Sequence, residues 1–170
     1  MSAILTGYAN PTTPSFEPAG SVSGGVAYGS FSSTQTQGIP AGDALPLIYD
    51  TSDITAVGMS CVLPDTDIVI AGAGVYKVSA AALCNRTGTL EGDVEMWITV
   101  NGVSTTATRI NIVQGVEDIL SAEWLVDVDA GDIVNLVVFS NQPDNEVLSV
   151  AAAPPVPAVQ SITTSIVRVA

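Results

Sequence analysis

The sequence predicts an all-β protein, an antiparallel jelly-roll β-sandwich of about ten strands behind an extended N-terminal arm. Three observations predict it. Short runs rich in Val, Ile and Thr alternate apolar with polar residues, the two-residue period of a strand with one buried face. Gly, Asn, Asp and Pro punctuate those runs at regular intervals, supplying the backbone conformations that tight turns need. No segment between them repeats apolar residues at helical spacing, so a βαβ fold has no crossover helix to use.

Residues 1–25 stand apart as an arm, with the sandwich domain spanning 26–170. Pro11, Pro14, Pro18, Gly20, Gly24 and Gly25 lie among Ser and Thr, a composition too poor in apolar residues to pack a core. The arm is either a frayed terminus or a docking segment anchored by Ile4, Leu5, Tyr8 and Phe16. Strand signals begin with Val26 to Ser33 and Leu45 to Tyr49. Ser60 to Leu63 and Ile68 to Ala71 follow, divided by a Pro64–Asp67 turn. Tyr76, Val78, Ala80, Ala82 and Cys84 share one face of a longer strand, and Asn85 to Gly88 reads as its turn.

Val94, Met96, Ile98 and Val100 then oppose Glu95, Trp97, Thr99 and Asn101, a half-buried strand. Asn101-Gly102 is the dipeptide that best tolerates positive φ in a tight hairpin, with Ile110 and Ile112 marking the returning strand. Leu120, Ala122, Trp124, Val126 and Val128 alternate with Ser121, Glu123 and Asp127. Ile133 to Phe139 is apolar on both faces except at Asn135, as a strand covered on both sides should be. Val147 to Ala151 and Ile162 to Val169 finish the set, divided by a Pro154-Pro155-Val156-Pro157 loop. A long last strand suits a jelly roll, where it closes a sheet beside an early one.

Bulk numbers narrow the function. At 170 residues and 47% hydrophobic, the chain is one domain with a continuous core. Seventeen acidic residues face four basic ones, for a net charge of −13. Nucleic-acid binding needs Lys and Arg to displace counterions, and anionic membrane surfaces attract the same residues, so neither is an expected partner. No run approaches the roughly 18 to 20 apolar residues of a membrane helix. The opening Met1-Ser2-Ala3-Ile4-Leu5-Thr6 lacks the basic and apolar regions of an export signal, so a soluble protein made in a cytoplasm is expected. In that setting Cys61 and Cys84 read as two small buried thiols and not as a disulfide.

Chemistry is sparsely written. There is no His, which excludes Ser–His and Cys–His nucleophile systems. The sole lysine, Lys77, follows no Gly-rich phosphate loop. Glu91, Asp93 and Glu95 fall on one face of a strand as a solvated acidic stripe. No catalytic residue, cofactor or metal site is expected, and the protein is read as not an enzyme. Asp127, Asp129 and Asp132 around Gly131 are read as a structural turn, with calcium the competing use. Asp65 and Asp67 carry the same turn reading. Asn85-Arg86-Thr87 matches a glycosylation pattern by chance. Trp97, on the mixed face with Glu95 and Thr99, is either a partner contact or packs within the subunit; Trp124 reads as core.

Together, Gly74-Val75-Tyr76 at a strand start, the Val100-Asn101-Gly102 hairpin, Ala130-Gly131-Asp132 before an apolar strand and the closing Ser161–Ile166 strand resemble the C1q/TNF-like jelly-roll superfamily. The resemblance covers roughly Phe31 to Val169. The sequence departs from many members by lacking a collagen-like Gly repeat, and its aromatic content is lower. The resemblance implies a homotrimer packed about a threefold axis. An acidic member led by an arm is similar to the decoration (cement) proteins of bacteriophage capsids. That likeness implies a structural virion protein on the outer capsid surface, made in the host cytoplasm, with the major capsid protein as partner. The alternative is a receptor- or glycan-binding head of a viral fibre or bacterial surface protein.

Overall fold

A computed structural model describes residues 26–89, 91–113 and 115–170, and the chain there is built of strands. In order these are β1 (Tyr28–Ser33), β2 (Gln37–Ile39), β3 (Ala44–Pro46), β4 (Thr51–Val57), β5 (Met59–Ser60), β6 (Ile68–Ile70) and β7 (Gly74–Arg86). They continue with β8 (Gly92–Val100), β9 (Val103–Ser104), β10 (Thr108–Ile112), β11 (Asp118–Val128), β12 (Ile133–Ser140), β13 (Asn145–Val147) and β14 (Ile162–Arg168). The expected arm, with Ile4, Leu5, Tyr8 and Phe16, lies outside the described residues.

All ladders are antiparallel and form two sheets. In the first, β7 pairs along its length with β11 on one edge, while β13 and β14 share the other. β14 passes the sheet on to β1 and then β4, and β2 flanks β13. In the second sheet β12 is central. It has β8 on one edge and β3 and β6 on the other, with β10 and β9 beyond β8 and β5 beyond β6.

The core lies between the sheets and follows the strand alternation. Tyr76, Val78, Ala80, Ala82 and Cys84 of β7 are buried, facing Val94, Met96 and Ile98 of β8 and Val134, Leu136 and Val138 of β12 across the sandwich. Each large aliphatic so buried contributes about 1.5–3 kcal/mol. Tyr49 is fully buried, its ring 6.0 Å from that of Phe31. Its hydroxyl pairs with Thr164 Oγ1 at 2.8 Å, and burial pushes its pKa well above the ordinary value. That bond meets the demand that a buried hydroxyl be satisfied.

Two turns fold as their composition requires. Asn101 and Gly102 have φ of 51° and 78°, the left-handed pair of a hairpin between β8 and β9. Gly131, at φ 94°, bends the chain into β12.

Six details differ from expectation, two of them shortened strands: Leu45 to Tyr49 is a strand only over Ala44–Pro46, and Val147 to Ala151 only at Val147, the end of β13. Fourteen strands replace about ten, because β2 and β9 are only three and two residues long and β4 is mostly exposed, so none shows a clear alternation. β7 runs on to Arg86, through residues expected to turn. The strand expected at Ser60 to Leu63 is confined to Met59–Ser60. The return beside β8 is split in two, Val103–Ser104 opening it and β10, with Ile110 and Ile112, continuing it after a one-residue register shift.

Candidate interaction surface

Cross-strand register gives the first sheet an outward face that no single strand displays. Opposite Lys77 of β7 stands Leu125 on β11; on the other side Val167, Tyr28 and Val57 follow from β14, β1 and β4. This row is apolar apart from Lys77, and Leu125, Val57 and Val167 are 70%, 42% and 41% exposed. The next row reads Glu123, Ser79, Ser165, Ser30 and Ile54; the one after it reads Ser121, Ala81, Thr163, Ser32 and Thr51. Leu83 then pairs with Ile119, which is 62% exposed.

Two apolar ends therefore flank a floor of Ala, Ser and Thr. The floor sinks into a trough of about 460 Å³, and a groove of about 490 Å³ opens at the Leu83–Ile119 end beside Val159 and Gln160. A sheet face held in water more often carries long polar or branched side chains. Small residues here let another surface approach closely.

This face carries one ion pair. Lys77 Nζ lies 2.7 Å from Glu123 Oε1, and Ser79 Oγ donates to the same oxygen at 3.1 Å. The lysine bond first, then the serine, holds the Glu123 carboxyl below the ordinary carboxylate range. Asp53 accepts from Ser30 and Ser32 at 3.2 and 2.8 Å.

The outward face of the second sheet is filled. Arg109 pairs with Glu95 and, at 3.5 Å, with Asp93, which also accepts from Asn111 at 3.0 Å. Asp93 and Glu95 thus share one guanidinium and are half-buried, a correction to the solvated stripe expected of them. Trp97 stands directly across from Val137, which is buried, and is itself half-buried. Its Nε1 is buried without a hydrogen-bond partner. Trp124 packs partly against the core and donates its indole N–H to Thr106 O at 2.9 Å.

The remaining polar residues do local work. Asp132 accepts from Asn101 Nδ2 at 2.7 Å and from the Asp129 amide at 2.8 Å, bonds that hold its carboxyl below the usual range and close the turn before β12. Among the described residues no three His, Cys, Asp or Glu gather as a cation site. Asp67 accepts from Asn135 Nδ2 at 2.7 Å, and Asp65 from the Thr66 amide at the same distance. Asn85 donates its side-chain amide to Glu146 at 2.9 Å. Both thiols are free. Burial pushes Cys84 up to about 12 and the half-buried Cys61 up to about 11, so Cys61 is less enclosed than expected.

Arg86 is buried at the end of β7, donating to Asn145 Oδ1 at 2.8 Å and Pro143 O at 3.3 Å. Sequence reasoning missed the open face. Ile119 and Leu125, apolar at the polar parity of β11, were its one signal.

No protein-family model matches the chain, and no curated protein matches it by sequence. Solved structures do. Crystal structures of murine APRIL at pH 5.0, 8.0 and 8.5 superpose with TM-scores of 0.54, 0.55 and 0.54 at 7%, 9% and 9% identity. Each alignment covers 85% of this chain and 100% of the other. Identity this low speaks to architecture alone, and the architecture of this chain is a TNF-like jelly roll.

Proposed function

We propose that this chain is a trimeric capsid decoration protein, bracing capsid subunits on the outer surface of a virion. The observation that carries the reading is the open face of the first sheet: a small-residue floor between apolar ends, formed by five paired strands. Covering such a face with a second copy removes exposed Leu125, Ile119 and Val167 from water. A standard interface of about 1,600 Å² leaves a net stabilisation after association costs. The threefold arrangement is the one that a TNF-like jelly roll suggests.

Composition supports the placement. A charge of −13 is tolerated outside a capsid and repelled beside packaged nucleic acid. The arm, through Ile4, Leu5, Tyr8 and Phe16, supplies reach to the major capsid protein while the sandwich supplies rigidity. The role is mechanical and involves no turnover, cofactor or membrane. A receptor- or glycan-binding head is the second reading, favoured by Trp97 and Phe139 on the second sheet's outward face.

Sedimentation of the full chain, and of a variant lacking residues 2–25, tests the reading. Both should be trimers, and only the full chain should bind capsids stripped of decoration. Monomers at micromolar concentration, or capsid binding that survives the deletion, would overturn it. Retained affinity for a glycan array in both forms would favour the receptor head.

A further inference from the structure

Residues 151–159 consist of Ala, Pro and Val throughout, and every one of them is exposed. The segment leaves β13 and returns to β14 as a fixed finger. Val150 and Val159 exchange backbone hydrogen bonds of 3.0 and 2.8 Å, and Ala153 and Val156 exchange bonds of 3.0 and 2.8 Å nearer the tip. Connecting loops in water ordinarily carry polar side chains, so a contiguous apolar run on a rigid support marks an interaction site. The two bonded rungs and three prolines mean that little conformational freedom is left to lose on docking.

We infer that the outer part of the finger, residues 151–157, docks from one copy into the Leu83–Ile119 groove of the next copy. This rests on the self-association proposed above and specifies its contact. Three observations select a second copy as the occupant. At −13 per chain, copies repel unless uncharged surfaces meet, and neither the finger nor the groove lining has a charged side chain. The groove, at about 490 Å³ and floored by Ala81 and Thr163, suits side chains no larger than Ala, Pro and Val. Ala158 and Val159 belong to the root of the finger and also line the groove, so both lie at one end of the sheet. Rotation about an axis along the strands keeps them at one level, where a head-to-tail contact closes a ring.

Val156, 59% exposed near the fingertip, provides the test. Val156→Asp, Ala81→Lys and a control, Val62→Asp, at a site 80% exposed, are compared with the wild type by sedimentation equilibrium and circular dichroism. The expected result is a folded Val156→Asp protein whose association is weakened about tenfold or more, with Val62→Asp unchanged. If Val156→Asp associates like the wild type while Ala81→Lys dissociates, the finger assignment is overturned and the open-face reading stands. A wild type that remains monomeric overturns both. An intact Val156→Asp trimer that no longer binds capsids would assign the finger to the capsid, again overturning the inference.

Discussion

Lys77 and Arg109 are the cations of the two outward faces, and their surroundings differ. Arg109 bridges Asp93 and Glu95 among amides from Asn111 and Asn141, with Trp97 and buried Val137 one row on. Lys77 has one carboxylate, Glu123, and beyond it a floor of Ser, Ala and Thr between solvent-exposed aliphatics. The second sheet has completed its outer surface with its own side chains. The first has left its surface short of both bulk and charge. A sandwich needs only one dry layer, between its sheets, so an unfilled outer face marks a surface that stability of the single chain does not require.

Adding a long cation to each face gives the largest contrast. Ala81→Lys, in the floor of the first, should weaken self-association at least about 100-fold, while Val69→Lys, outward on the second, should leave it unchanged. Sedimentation velocity across a dilution series reads both. Trp97→Ala should cost about 2–3 kcal/mol in urea unfolding without altering the oligomer, since the half-buried ring packs within its own subunit. A changed oligomer with unchanged stability would move Trp97 to an interface.

Smaller effects come from the ion pairs. Arg109→Met should cost about 0.5–1 kcal/mol, because two half-buried carboxylates lose their partner. Lys77→Met should barely change stability, since Glu123 remains in water. Its signature is a titration. In the wild type the Glu123 carboxyl is held low, so its contribution is present above the unfolded value of about 4.3 and is lost as pH falls through the folded one. In Lys77→Met, NMR titration should find that carboxyl nearer the ordinary value.

The sequence was readable where one strand meets one dry layer. β7 and β8 alternate cleanly because every second side chain enters the core, and the Asn101-Gly102 turn is imposed by backbone sterics. β4 escaped because an edge strand with shifted register is held by backbone bonds to β1 and buries almost nothing. The open face escaped for a different reason. Leu125, Val167, Tyr28 and Val57 come from four segments of the chain, and only pairing register sets them in one row. Short polar residues such as Ser79 and Thr163 look like ordinary solvent contacts until their neighbours across the sheet are known. Trp97 was legible as an outward aromatic and Val137 as part of a strand covered on both sides, but not that the two stand opposite one another.

The position of β14 bears on how the protein is made. It lies between β7 and β1 in the interior of the first sheet, and Thr164 supplies the hydroxyl that meets Tyr49. Until residue 168 has cleared the ribosome, β1 and β7 have no bridge, and the two halves of that sheet remain unjoined. Folding must therefore follow synthesis of this segment, through pairings distant in sequence that form slowly. Meanwhile the nascent chain exposes long unpaired strand edges, a hazard that its strong negative charge helps to hold in check by keeping neighbouring chains apart.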